Sequence, residues 1–193
     1  MGAWLIQSAS HPRAGQVDSA EGASLLGSKM TAEEIYESIT NGGASDFATV
    51  AGILDRHGPW CLIGGLAVNC YVEPVYTVDA DVIVESKNLI VTRENFSRDN
   101  KLESKLEIHF MHDERYQNFI ARANRQEVLG RMVPVAELRD IVQGKVWAWS
   151  DEKRRLSKRK KDELDLIRIA EAYADLLKDM PYEIQSQLEG GAR

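Results

Sequence analysis

Residues 62–84, LIGGLAVNCYVEPVYTVDADVIV, carry the pattern on which the fold turns. With Trp60 and Cys61 in front of them, the apolar run at 60–63 predicts a short strand that ends in Gly64-Gly65. Leu66, Ala67, Cys70 and Tyr71 then line one face of a brief helix, and Glu73-Pro74 stops it. Residues 75–85 read as a β-branched strand interrupted by two acids, Asp79 and Asp81. The local order is therefore strand, tight turn, helix, strand.

The two acids are the anomaly in this stretch. Side chains two apart in a strand emerge from the same face, so the Asp79 and Asp81 carboxylates lie a few ångströms apart and repel. A hard divalent cation such as Mg²⁺ relieves that repulsion and takes oxygen ligands, usually one or two carboxylates with substrate phosphates and water. On a solvent-facing strand the same pair is ordinary alternation. Here Val78, Ala80, Val82, Ile83 and Val84 make the strand strongly apolar, and aspartate in such a setting needs a cause. The glycine turn points the same way, because glycines between a strand and a helix let the backbone approach a phosphate at a helix N-terminus. A tight turn with packing glycines is the plainer account of Gly64 and Gly65.

Outward from this centre the chain keeps alternating helices and strands. On the N-terminal side, Thr31 with Glu34 forms a capping box, Ile35 and Ile39 give a short stripe, and Asn41-Gly42-Gly43 ends that helix. Ser45 or Asp46 then caps a second helix bearing Phe47, Val50, Ala51 and Leu54, stopped by Gly58-Pro59. On the C-terminal side, residues 106–111 alternate, with Leu106, Ile108 and Phe110 on one face and Glu107, His109 and Met111 on the other. Asp113 caps a helix carrying Tyr116, Phe119, Ile120 and Ala123, and residues 126–135 form a hairpin turning at Gly130-Arg131. Two helices finish the pattern, one with Leu138, Ile141, Val142 and Val146, the other with Leu164, Ile167, Ala170, Ala174 and Leu177.

A chain of 193 residues, 44% hydrophobic, supports one sizeable core. The expected organisation is a single domain over residues 30–180. Residues 1–29, rich in Gly, Ala and Ser, are expected to be a poorly structured extension or a cloning remnant, and residues 181–193 a tail. The net charge of −6 argues against coating nucleic acid or membrane by bulk electrostatics. A local patch remains at residues 153–161, where seven of nine side chains are Lys or Arg. It could meet triphosphate or RNA, or serve as a solvated connector. No stretch approaches the ~20 apolar residues of a membrane span, and two cysteines in apolar settings fit a reduced, cytoplasmic compartment.

Taken together, residues 62–84 resemble the signature of the nucleotidyltransferase superfamily, with the nearest likeness to minimal and AbiEii-toxin-like nucleotidyltransferases. The likeness rests on the Gly-Gly turn, the short helix, Thr77 and the Asp-x-Asp strand in that order. It extends more weakly through Glu127 to Gly130, Val133 to Val135, Lys145, Lys161-Asp162 and Asp165.

The resemblance implies an α/β (α+β) fold, a small mixed sheet flanked by helices. It implies Asp79 and Asp81 as catalytic metal ligands for Mg²⁺ or Mn²⁺, with Gly64, Gly65, Thr77, Lys145 and Lys161 toward a nucleoside triphosphate. The family's third carboxylate falls by position on His109, and Glu107 lies on the same face, so either residue could complete the catalytic set, Glu107 as a metal ligand. The Gly and Arg that often follow the helix are absent around Val72 and Val75.

The activity implied is transfer of a nucleoside monophosphate from the triphosphate to an acceptor. RNA such as tRNA, a protein hydroxyl and a small molecule are all open as acceptors, and the AbiEii likeness tilts the expectation toward a toxin with a cognate antitoxin. The altered third acid leaves a second expectation, a catalytically degenerate binding or antitoxin-like module.

Overall fold

The computed structural model describes residues 3–6, 32–88, 90, 94 and 104–190. Among them, six strands form one mixed sheet: β1 (Ala3–Ile6), β2 (Trp60–Ile63), β3 (Asp79–Val84), β4 (Glu107–Met111), β5 (Asn124–Val128) and β6 (Arg131–Val135). Their order is β1-β4-β3-β2-β6-β5. β3 runs parallel to β4 and β2 parallel to β6, while the other three pairs are antiparallel. The helices are α1 (Ala32–Thr40), α2 (Gly43–His57), α3 (Gly64–Val68), α4 (Gln117–Arg122), α5 (Leu138–Ser150), α6 (Leu156–Ala172) and α7 (Tyr182–Gly190). This is the small mixed sheet flanked by helices that the sequence implies. No helix is long and apolar enough to cross a membrane.

Alternation along the central strands separates two kinds of face. Ala80, Val82 and Val84 of β3, with Ile108 and Phe110 of β4, are buried in one continuous core with Phe47, Val50 and Leu54 of α2. The opposite face of the same strands carries Asp79 and Asp81 beside Glu107 and His109, all half-buried. The site is thus a polar strip on a sheet whose other side is anchored in apolar packing, which holds the acids rigidly.

Several local readings are corrected. β3 begins at Asp79, not at residue 75, and Val75 and Tyr76 are exposed. Pro74 precedes a segment fixed instead by Asn69, which exchanges two hydrogen bonds with the Val75 backbone. Neither Ser45 nor Asp46 caps α2. The helix starts at Gly43, whose N–H donates to Thr40 Oγ1, and the next N–H donates to Glu37, so α1 supplies the cap. Asp46 accepts the Ser104 N–H. The hairpin turns at Leu129-Gly130, both with positive φ, one residue earlier than expected.

The inward face of α6 is not the apolar stripe read from sequence. Leu164 is 46% exposed, while Asp162 and Asp165 are buried with Leu166, Ile169 and Ala170. The segment read as a tail is helical over Tyr182–Gly190, and its Ile184 is fully buried. Thr31, half of the expected capping box, lies outside the described residues. So does most of the expected extension at 1–29, although Ala3–Ile6 pairs with β4 as an edge strand.

Candidate functional site

Parallel pairing of β3 and β4 puts Asp79 opposite Glu107 and Asp81 opposite His109. A one-residue slip of β4 would send Glu107 and His109 to the other face, away from Asp79 and Asp81, so the buried alternation of both strands fixes this grouping. Donor atoms of Asp79, Glu107 and His109 lie within 4.8 Å of one another. Asp81 joins through the histidine, its Oδ1 lying 2.9 Å from His109 Nδ1. His109 Nε2 is 3.7 Å from Glu107 Oε2. An imidazole that donates Nδ1–H to a carboxylate presents its Nε2 lone pair to whatever lies beyond, the arrangement that orients metal-binding histidines. Two carboxylates and one ring nitrogen, half-buried on rigid strands, suit a divalent cation with open positions for substrate oxygens.

The electrostatics reinforce this pairing. Burial would raise the Asp81 carboxyl, but the hydrogen bond and charge of His109, with Lys145 and Lys158, hold it below its ordinary value. For His109 the Asp81 hydrogen bond dominates. It outweighs burial and, with the charges of Asp81 and Asp79, raises the imidazole above its ordinary value despite Lys158.

The glycine turn serves the same group of residues. Gly64 has φ +72 and opens α3, and a β-carbon there would overlap the Asp81 carboxylate. A β-carbon on Gly65 would lie 3.3 Å from Thr77 Oγ1. The turn therefore makes room for the Asp81 and Thr77 side chains. Thr77 is buried, with its hydroxyl 3.4 Å from the Asp79 N–H and 3.3 Å from Lys161 Nζ.

Helix α6 lays a cationic and acidic face over the sheet. Lys158 Nζ is 3.0 Å from Asp79 Oδ2. Lys145 of α5 is buried and sits between Asp162, at 3.0 Å, and Asp165, at 2.7 Å. Burial would lower its pKa, and the two carboxylates more than offset that and raise it. Arg154 bonds the other oxygen of Asp162 at 2.8 Å, and Arg168 bonds Asp165 at 2.8 Å while reaching the Glu73 carbonyl. Every charge in this buried set meets an opposite one, as burial requires.

Between sheet and helices lies a cleft of about 240 Å³. Its polar lining comprises Asp79, Asp81, His109, Asp140, Lys145, Arg154, Lys158 and Asp162, and its apolar lining includes Ile63, Met111, Tyr116, Phe119 and Ile141. The structure thus gathers Gly64, Asp79, Asp81, His109 and Lys145 in one cleft, with Glu107 beside His109. Gly65, Thr77 and Lys161 sit just behind it. Trp147 packs edge-on against Tyr116 and stacks on Phe119, so its ring supports two residues of the cleft wall without lining the cleft.

The sequence reading passed over Arg154 and Lys158 as individuals within a basic run. Helical spacing would have singled out Lys158, since Lys158, Asp162 and Asp165 recur at i, i+4 and i+7, one face of α6, whereas Arg154 precedes that helix and no spacing marks it. Asp140 was missed entirely. It borders the cleft from α5, and its two carboxylate oxygens accept from Arg122 Nε, at 2.9 Å, and Nη2, at 2.6 Å.

No protein-family model matches this chain, and no curated protein does. Among solved structures it is similar to the antibiotic-resistance factor ANT(2'')-Ia, at 14% identity and a TM-score of 0.48, covering 78% of this chain and 93% of that one. It is also similar to JHP933 from Helicobacter pylori, at 16% identity and a TM-score of 0.42, covering 76% of this chain and 73% of that one.

Proposed function

We propose that this chain is a metal-dependent nucleotidyltransferase that moves a nucleoside monophosphate from a nucleoside triphosphate to an acceptor hydroxyl, with Mg²⁺ or Mn²⁺ as cofactor. The observation that carries the reading is the convergence of Asp79, Glu107 and His109 donor atoms within 4.8 Å, in a cleft whose other wall carries Lys158 and Arg154. Carboxylates facing cations across a narrow cleft match a cation–polyphosphate pair, which needs both signs of charge side by side. When bound, a divalent cation would supply charge stabilisation to the attacked phosphoryl group and to the departing pyrophosphate.

The chain's own residues divide the remaining work. Asp79, Glu107 and His109 hold the cofactor, and Asp81 fixes the His109 tautomer and ring angle by accepting from Nδ1–H. Lys158 is placed to receive phosphate oxygens, and Arg154, held by Asp162 through Nε, lines the same wall and adds its charge. Lys145 is committed to Asp162 and Asp165, so it supports the α5–α6 wall and lends its charge to the cleft from behind. The apolar lining, with Ile63, Met111 and Phe119, limits water beside the reacting groups. The acceptor classes compatible with this chemistry are RNA, a protein hydroxyl and a small molecule, the first two being those of a toxin with a cognate antitoxin.

Calorimetric titration of Mg²⁺ with each nucleoside triphosphate into wild type and Asp79→Asn tests the reading. Cation-dependent nucleotide binding that vanishes in the variant is expected. Absence of binding to wild type would refute it.

A second reading draws on one feature of the same site. Lys158 already neutralises Asp79 and the His109 imidazole already hydrogen-bonds Asp81, as suits a degenerate module that binds a partner and turns nothing over. Under that reading Asp79→Asn/Asp81→Asn would leave partner binding intact.

A further inference from the structure

We propose that Lys158 is an internal counter-ion for the cation site: it neutralises Asp79 until a divalent cation arrives, then turns to the phosphates that accompany that cation. The inference rests on the nucleotidyltransferase reading and assigns one residue a switch between two partners. Lys158 stands in the first turn of α6, about a third exposed, with Nζ 3.0 Å from Asp79 Oδ2. Asp79 is also one of the three donors that converge with Glu107 and His109. A divalent cation held by those donors therefore competes with the ammonium for the same carboxylate, and its double charge favours it.

The other cations around the cleft have commitments that a cation at Asp79 leaves untouched. Lys145 is gripped by Asp162 and Asp165, and Arg154 by Asp162. Arg159 donates to the Trp149 carbonyl, and Lys161 lies against the Thr77 hydroxyl. Among the described residues, Asp79 is the one carboxylate that Lys158 hydrogen-bonds. Once displaced from Asp79, Lys158 keeps only the weaker, unbonded attraction of Asp81 and lies beside the cation, where a polyphosphate chain would lie. Its flexible, partly solvated stem can swing without disturbing the core. Removing Lys158 should therefore tighten the cation and loosen the anion.

The probes are Mn²⁺ alone, read from the paramagnetic resonance of the free ion, and tripolyphosphate in saturating Mn²⁺, read by calorimetry. Lys158→Met should bind Mn²⁺ about fivefold more tightly and tripolyphosphate about fivefold more weakly than wild type, the scale of a partly exposed ion pair. Lys158→Arg should retain wild-type values for both, and Lys158→Gln should repeat the Met result if the Met variant folds poorly. Lys160→Met makes the same change in net charge two residues away, where Lys160 pairs with Glu163, and should shift either affinity less than about twofold.

Equal Mn²⁺ affinity in wild type and Lys158→Met overturns the counter-ion role while leaving the cation site standing. Equal shifts in the Lys158 and Lys160 variants overturn it too, since net charge would then explain both. No Mn²⁺ bound by wild type or by Lys158→Met overturns the nucleotidyltransferase reading and this inference together.

Discussion

Replacing Gly64 by alanine perturbs the site without touching any charged group. At φ +72 an L-residue costs about 1–2 kcal/mol relative to glycine. The new β-carbon would also overlap the Asp81 carboxylate, whose Cγ is 2.7 Å and Cβ 2.9 Å from its ideal position. Asp81 must swing away and break its 2.9 Å bond to His109. A hydrogen bond to a charged group is worth about 1.5–3 kcal/mol, and the lower end applies to a carboxylate with a quarter of its surface still wet.

The expected loss for Gly64→Ala is therefore about 2.5–3.5 kcal/mol. Gly65 is the internal comparison, since it has no positive φ and its added β-carbon meets Thr77 Oγ1 at 3.3 Å, a contact that a few tenths of an ångström relieves. Gly65→Ala should cost less than about 1 kcal/mol, part of it returned by better helix propensity. Urea unfolding of both variants, in chelator, measures the difference. Equal losses for the two alanines, or a Gly64→Ala loss under about 0.5 kcal/mol, would refute the claim that Gly64 exists to make room for Asp81.

Lys145→Met strands Asp162 and Asp165 in the interior with one arginine each, and should cost about 3 kcal/mol, the low end for a broken buried pair. Adding Asp165→Asn should recover more than half of that in the same unfolding assay, and no recovery would show that the network is not electrostatic. The Asp81–His109 pair predicts a stability plateau in metal-free protein. His109, raised in the fold, contributes fully below its ordinary 6.5 and loses that contribution as pH rises through its folded value. Asp81, lowered in the fold, contributes fully above its ordinary 3.8 and loses that as pH falls through its folded value. Urea midpoints against pH should therefore show a flat top between those limits that His109→Gln removes, and an unchanged profile in that variant would refute the pairing. Burial pushes the Cys61 thiol up to about 12 and Cys70 up to about 11. Both should react with a disulfide reagent at pH 8 only after denaturation, because the thiolate fraction is roughly one in a thousand or less, and a fast native-state phase would contradict this.

What the sequence determined by itself is local and periodic. An apolar run ending in two glycines reads as a strand entering a helix, and acids spaced two apart in a β-branched run share a face whatever the strand pairs with. Alternation at 106–111 likewise put Glu107 and His109 on one face before any pairing was known.

Tertiary structure decided the rest, because the relations involved span long stretches of chain. Parallel pairing of β3 with β4 chose which residues of the two polar faces meet, and it brought Glu107 and His109 together beside Asp79, with Asp81 behind the imidazole. Helix α6 turned Asp162 and Asp165 inward and left Leu164 outside, against its own apolar stripe. The reason lies on another helix, where Lys145 offers two buried carboxylates a shared partner. The pairing of Lys158 with Asp79 joins residues 79 positions apart. Side-chain periodicity is a property of one element and can be read along it, whereas a charge partner depends on how elements pack.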